Sequence, residues 1–407
     1  MRTDAYGLSV TTSSEAARDA YDQAVRGLLG WDGSALILFR RASERDPTLS
    51  LAHAGAAAAS QTPRERGHVE ALALLVAGRT GEAERAMREH LVGYPRDLVV
   101  FQRLYFILFW QGRFPEMLEL TRDASRHDEG GSFMLGLHAF ALEEGGDCEE
   151  ALRAAEAALA LNARDAWAVH ALAHALYEKG ASDAGLGALP PRIHPCTHLG
   201  YFRNHLLWHL ALMNLACGNY ERARALARSV FERAPSSIAG DLHDAISLLW
   251  RFEFTGRPVG DGWPPFAAIA RERLNRQGLL FHAVHLAMAL AAAGEWATAE
   301  AQLGMLRDRA KKDPTGLTGD VAVPLAEGMH AFAARDYPRA IQRIEPLRPR
   351  IIDLGGSRAQ RDVFHDTLLE ACFRAGDTER AERLLAERLA RRADHFWRER
   401  RARGAAR

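Results

Sequence analysis

Cysteine is scarce in this chain of 407 residues, with four in all: Cys148, Cys196, Cys217 and Cys372. They are scattered and form no CxxC pair. That speaks against a disulfide framework and against a thiolate zinc site, and it fits a reducing cytoplasm. An excess of either charge is also missing, because Lys+Arg and Asp+Glu both number 52. A balanced chain has no whole-protein electrostatic reason to bind nucleic acid, whose affinity rests on phosphate neutralisation. No uninterrupted apolar run reaches about 18 residues, so no membrane helix is expected. The start, "MRTDAYGLSV", lacks a basic region followed by an apolar run, so no signal peptide is expected. There is no GxGxxG after a strand, no P-loop and no GxSxG, which leaves nucleotide binding and serine hydrolysis without support. β-branched runs are short, while Ala, Leu, Glu and Arg dominate, so the fold is expected to be all-α.

What is present is a beat of glycines. Gly78, Gly112, Gly146 and Gly180 fall at successive steps of 34 residues, each between two helical patterns. A 34-residue helix-turn-helix period is the tetratricopeptide signature. The beat then loosens: Gly218 follows at 38, Gly294 at 76, and Arg335 and Gly376 at 41 each. Five residues after four of these turns stands an alanine, at Ala151, Ala223, Ala299 and Ala340. A small side chain there lets two helices approach closely. The prediction is one continuous helical-repeat domain over 1–407, an α-α superhelix curled around an interior concave pocket. Its parts are N-terminal helices in 1–60, regular repeats in 61–255, and further repeats with a cap in 265–395. A basic tail covers 396–407, read as a solvated helix end. Ser13 or Ser14 is the predicted N-cap of the first helix. Two loops are predicted, over 181–200 with Pro190, Pro191 and Pro195, and over 254–266.

Histidine is the residue type that asks for a function. "WAVHALAHALYEKG" carries His170 and His174, and "NHLLWHLALMNLACGNY" carries His205 and His209. Residues four apart share one helix face. In the first helix the expected packing stripe is Val169, Leu172, Ala173 and Leu176. Trp167, His170, His174 and Tyr177 fall roughly 80–160° round from it, given about 100° per residue. In the second, Leu207, Leu210 and Ala211 form the stripe, while His205, Trp208, His209 and Leu212 fall on the equivalent inner face. Four histidines and two tryptophans are therefore expected on one concave patch. "FHAVHLAMAL" adds His282 and His285, and "GGSRAQRDVFHD" adds Gln360, Arg361 and Asp362.

The stretches "DAWAVHALAH", "NHLLWHLAL", "LLFHAVHLAM" and "LGGSRAQRDVF" together resemble the tetratricopeptide repeat protein 38 family. Weaker likeness reaches "LSVTTSSEA" near the start. The family pattern falls on Asp165, Trp167, His170, His174, His205, Trp208, His209, His285, Gln360, Arg361 and Asp362, and does not include His282. The resemblance implies an α-helical superhelix and brings no reaction with it.

Three uses of the patch stay open. The first is binding of a small molecule or peptide by Trp167, His170, His174, Tyr177, His205, Trp208, His209, Gln360 and Arg361, with no nucleic acid and no membrane as partner. The second is metal-free acid/base chemistry by His170, His174, His205, His209 and His285, with Arg361 clamping an anionic substrate and Asp362 assisting. The third is a metal site. No cofactor is required by the sequence, but His170, His174, His205 and His209 are candidate ligands for zinc or another transition metal. Asp165 or Asp362 would then fix the ring tautomers. "HALAH" lacks the glutamate of HExxH, so no general base is built into the motif. Structural hydrogen bonding between helices is the plain alternative for the same side chains.

Overall fold

A computed structural model describes residues 2–46, 49–52, 62–125, 131–233, 235–276 and 278–405. Parts of the expected N-terminal helices (53–60) and of the expected tail (406–407) lie outside the described residues. The contacts group into two compact units. One comprises Met1–Leu172 with His194–Gly200; the other comprises Ala173–Ile193 with Tyr201–Arg407.

The first unit is built from α1 (Glu15–Leu29), α2 (Ala35–Arg45), α3 (Pro63–Val76), α4 (Thr80–Gly93), α5 (Leu98–Trp110), α6 (Phe114–Ser125), α7 (Gly131–Glu144) and α8 (Cys148–Leu161). It also holds the start of α9 (Ala166–Glu178), a helix that ends in the second unit. The second unit continues with α10 (Ser182–Ala188), α11 (Pro190–Ile193), α12 (Tyr201–Ala216), α13 (Tyr220–Ala227), α14 (Ala239–Phe254), α15 (Pro264–Glu272) and α16 (Leu280–Ala292). It is completed by α17 (Trp296–Ala310), α18 (Val323–Ala333), α19 (Tyr337–Ile344), α20 (Arg358–Ala375), α21 (Thr378–Arg391) and α22 (His395–Ala405). Among the described residues the only sheet is a two-stranded antiparallel pair, Arg2–Thr3 with Ser9–Val10. The architecture is all-α and repetitive. Consecutive helices pair as hairpins, α1 with α2, α3 with α4, α7 with α8, α12 with α13, α18 with α19 and α20 with α21.

The turn chemistry explains the beat. Gly78, Gly112, Gly146, Gly180, Gly218, Gly294 and Gly376 all have φ between 68° and 95°. Each supplies the left-handed residue that ends one helix and turns into the next. At the α18–α19 turn the same position is Arg335, at φ 62°, a conformation an L side chain resists. The alanines behave as their spacing implies: Ala151, Ala223 and Ala340 are wholly buried and Ala299 nearly so. Ser14 is the N-cap of α1 and accepts from the Ala17 N–H.

The segment expected as a loop over 181–200 is partly helical, as α10 and α11. Proline is tolerated in a first helical turn, where its missing N–H has no partner to lose, and Pro190 opens α11. In α10, Gly185 lies so close to Met213 that an added Cβ would stand 2.4 Å from the sulfur. The expected basic tail is instead α22, which buries Phe396 and Trp397 and pairs Arg400 with Glu370. Its apolar residues, not its charge, decide its place.

The first unit closes on a buried polar hub. One oxygen of Asp97, the N-cap of α5, accepts from Arg64 Nε at 3.0 Å, His68 Nδ1 at 2.9 Å and His90 Nε2 at 3.1 Å. Arg64 also reaches Asp4 at 3.2 Å. Burial opposes the charge on Asp97, but His68, His90 and Arg64 hold its carboxyl well below the ordinary carboxylate range. The hub ties α3, α4 and α5 to the N-terminal segment.

These features generate two expectations for stability. Gly294→Ala should cost about 1 kcal/mol, the penalty for a Cβ in the left-handed region, since nothing else crowds that position. Arg335→Gly should be neutral or stabilising by up to ~1 kcal/mol, and urea unfolding of both variants checks the opposite signs. Asp97→Ala should cost about 3 kcal/mol or more, because it leaves a buried guanidinium short of a partner. A loss under about 1 kcal/mol in the same assay would show that the hub is not structural.

Candidate functional site

In the second unit, α12 and α14 pack side by side, α14 packs on α16, and α14 also meets α20. The polar side chains on these helices converge. His205 and His209 sit one turn apart on α12, and His174 approaches from α9. Ring centroids of His174 and His209 are 4.5 Å apart, and those of His205 and His209 are 4.9 Å apart. The ligand-capable atoms of these three lie within 4.8 Å of one another. All three are buried, His174 and His209 completely.

Behind them stands Asp244 on α14, which the sequence pattern did not single out. Its Oδ2 accepts from His205 Nδ1 at 2.6 Å. Its Oδ1 accepts from Gln360 Nε2 at 3.2 Å and lies 3.2 Å from His243 Nε2. Gln360 also donates to His243 Nε2 at 2.8 Å. Its own orientation is set at the other end, where Oε1 accepts the Ser357 N–H at 2.9 Å in the capping box of α20. His243 Nε2 thus stands within hydrogen-bonding distance of both the Gln360 amide and the Asp244 carboxylate. At its other nitrogen, His243 Nδ1 meets His282 Nδ1 at 2.9 Å. His285 donates Nδ1–H to the Phe281 carbonyl one turn back, at 2.8 Å. Its Nε2 is therefore a bare acceptor, and it is buried with no hydrogen-bond partner.

Electrostatics follow from burial. Desolvation, with His243 beside it, lowers the His285 pKa to about 3. Desolvation and then His243 push His282 well below the usual imidazole value. Desolvation, with His174 and His205 adjacent, does the same to His209. Asp244 is the reverse: burial opposes its charge, yet His205 and His243 hold its carboxyl below the ordinary range. Burial thus favours the uncharged form of His209, His282 and His285 beside one buried carboxylate.

Other expected residues have partners of their own. Trp167 stacks on Trp31 at 5.4 Å in the first unit, and His170 stacks on Phe140 at 5.1 Å in the same unit. His170 keeps its place one turn before His174 on α9. Trp208 donates Nε1–H to Ser247 at 3.2 Å and is fully buried, with its ring stacked on His205 at 5.4 Å. Tyr177 lies under the Arg392 guanidinium, 3.7 Å from carbon to ring centroid. Asp362 is taken by Arg391 and by Arg392, the latter at 2.8 Å. Arg361 donates to the Gly356 carbonyl. Asp165 caps α9, accepting from the Trp167 and Ala168 N–H groups at 3.0 Å. The tautomer-fixing role foreseen for Asp165 or Asp362 falls to Asp244. The predicted packing stripes also shift: Leu176 and Leu207 are only half-buried, while the histidine faces are enclosed. α9 and α12 are inner helices, covered nearly all round, so a two-faced wheel does not describe them.

A cleft of about 700 Å³ between the ends of α14, α20 and α22 is a separate feature of this unit. Of its arginines, Arg374 and Arg400 both pair with Glu370, and Arg401 pairs with Glu382.

A depressed imidazole pKa destabilises the fold in acid. Below about pH 6.5 the unfolded chain binds a proton at His285 that the folded chain refuses until about pH 3, so stability falls as pH falls through that window and is flat above it. The titratable and charged groups around His285 are His243, Asp244 and Arg251 on α14 and His282 on its own helix. Unfolding free energy measured between pH 6 and 4.5 should rise with pH, and His285→Phe should flatten the slope by up to about 1.4 kcal/mol per pH unit, one proton. An unchanged slope would mean that His285 is already protonated in the folded protein.

No family model matches the chain. Two solved structures are similar to it at low identity. One is the structure of Naa15/Naa10 bound to HypK-THB, at 13% identity and a TM-score of 0.26, with 92% of this chain covered. This chain spans 58% of the length of that one. The other is the crystal structure of the P58(IPK) TPR domain, at 13% identity and a TM-score of 0.23, covering 91% of this chain and 98% of that chain.

Proposed function

We propose that this helical-repeat protein binds a small polar molecule against the buried imidazole cluster of its second unit. The observation that carries the reading is His285 Nε2. It is a buried acceptor with its lone pair fixed by the Nδ1 bond to Phe281 and with no protein donor of its own. Leaving such a group unsatisfied costs about 1–3 kcal/mol, and a ligand N–H or O–H placed there recovers it. His243, His282 and Gln360 supply neighbouring groups already held by hydrogen bonds, so the site is organised before the ligand arrives.

The near-complete burial of the imidazoles favours a small molecule over a peptide, which needs an open groove. The alternative, an enzyme using the same histidines for acid/base work, retains its clustered histidines, His174 among them, but its two other members have partners of their own. Arg361 and Asp362 are engaged with Gly356 and with Arg391 and Arg392. The likeness to the tetratricopeptide repeat protein 38 family agrees with either reading and supplies no substrate.

The test can begin before any ligand is named. A panel of amino acids, polyols and nucleosides would be screened by thermal shift. Hits would then be followed by 15N NMR of the histidine ring nitrogens. A true ligand should raise the melting temperature and move the His285 Nε2 resonance upfield from the bare-acceptor range. His285→Phe and Gln360→Leu, if folded by circular dichroism, should abolish the shift for that ligand. Hits that bind both variants as well as the parent chain would refute the site.

A further inference from the structure

We infer that His174, His205 and His209 form a three-nitrogen site for a divalent transition metal, with Zn²⁺ the plainest occupant. The proposal goes beyond the ligand reading and uses different residues, so each stands or falls alone. Three facts support it. First, three imidazoles from two helices present ligand atoms within 4.8 Å of one another. A tetrahedral zinc with nitrogens at about 2.05 Å requires separations of about 3.3 Å, a closure within reach of small ring rotations.

Second, the tautomer is already the one a metal needs. His205 donates its Nδ1–H to Asp244 at 2.6 Å, so in the neutral ring Nε2 is the unprotonated nitrogen. Carboxylate–imidazole–metal is the standard outer-shell arrangement, and it raises ligand basicity. Asp244 is in turn held by Gln360 at 3.2 Å, so the outer shell is itself supported.

Third, the surroundings suit a cation. The Asp244 carboxylate stands directly behind the buried imidazoles, which are walled by Trp208 and Phe202. The first unit shows the contrast. His68, His90 and Asp97 also stand close enough to hold an ion. There Arg64 donates to the same Asp97 oxygen as both histidines, so a guanidinium already occupies the cation's place. Three protein nitrogens leave a fourth position for water or for a ligand atom. With no HExxH glutamate on either helix, the geometry favours metal-anchored binding.

The experiment uses the full chain without a histidine tag, stripped with a chelator and titrated with Co²⁺. About one equivalent should bind, with visible d–d bands of nitrogen coordination, and Zn²⁺ should displace it. His209→Gln should abolish the bands. Asp244→Asn should weaken Co²⁺ binding by about 10- to 100-fold, the usual effect of losing an outer-shell partner. His285→Phe lies outside the trio and should bind Co²⁺ like the parent chain, even where it abolishes the small-molecule shift. Should His209→Gln fail to fold, the Asp244→Asn affinity decides. No Co²⁺ binding by the parent chain, or binding that neither substitution weakens, would overturn the site.

Discussion

One buried carboxylate organises the second unit. Asp244 lies on α14, the helix that packs on α12, α16 and α20 at once. Its two oxygens meet a histidine from α12 and a glutamine from α20, with His243 alongside. A carboxylate taken out of water is costly unless charge-assisted hydrogen bonds replace its hydration. That cost makes the arrangement selective. Packing in which α12 or α20 slipped by one residue would leave the charge unsatisfied in a low dielectric. The same demand sets the tautomers, because an acceptor-only group dictates which nitrogen of His205 bears the proton. Stability and site chemistry are thus two consequences of one desolvated charge.

The two units use the same residue types to opposite ends. In the first, His68 and His90 both donate to Asp97, and Arg64 completes the set. Every lone pair of that oxygen is taken by protein donors, and the result is a cross-link between α3, α4 and α5. In the second, Asp244 accepts one hydrogen bond from His205 and leaves imidazole nitrogens turned toward other imidazoles. What separates a structural hub from a ligand-capable cluster is the arginine. A guanidinium supplies charge and donors together and cannot give up its proton. Counting histidines and carboxylates in a sequence does not register that difference.

Much of the fold was legible because it rests on backbone chemistry. Left-handed turns demand glycine and close helix contacts demand alanine, so Gly78 to Gly180 and Ala151 to Ala340 report the repeat directly. Arg335 was readable as a turn only through spacing, since its side chain breaks the rule. The site was half legible. His174, His205, His209, His285 and Gln360 stood out as polar residues on helix faces expected to face inward. His243 and Asp244 did not, for a traceable reason. The glycine beat skips from Gly218 to Gly294, and α14 lies inside that gap. Without a marked turn to set its phase, "LHDAISLLW" gave no sign of which face meets α12. The inner helices posed a second difficulty. A helix covered on nearly every side has no polar face to orient the wheel, so α9 and α12 were given stripes that the packing does not respect.

The split within "RAQRD" carries the last point. Gln360 and Asp362 are two residues apart, which on a helix turns them roughly 200° from each other. They therefore cannot serve one site, however close they stand in sequence. Gln360 faces α14 and joins the imidazoles. Asp362 faces the end of α21, where Arg391 and Arg392 take its charge. Arg392 passes the connection on, donating to Glu178 and Tyr177 at the end of α9. The helix that carries His174 is thus pinned from behind by α20, through Arg392, while the same α20 holds Asp244 from the front through Gln360. A motif that reads as a single constellation is a two-sided clamp: one residue completes the site, and its neighbour fixes the helix that brings the third imidazole to it.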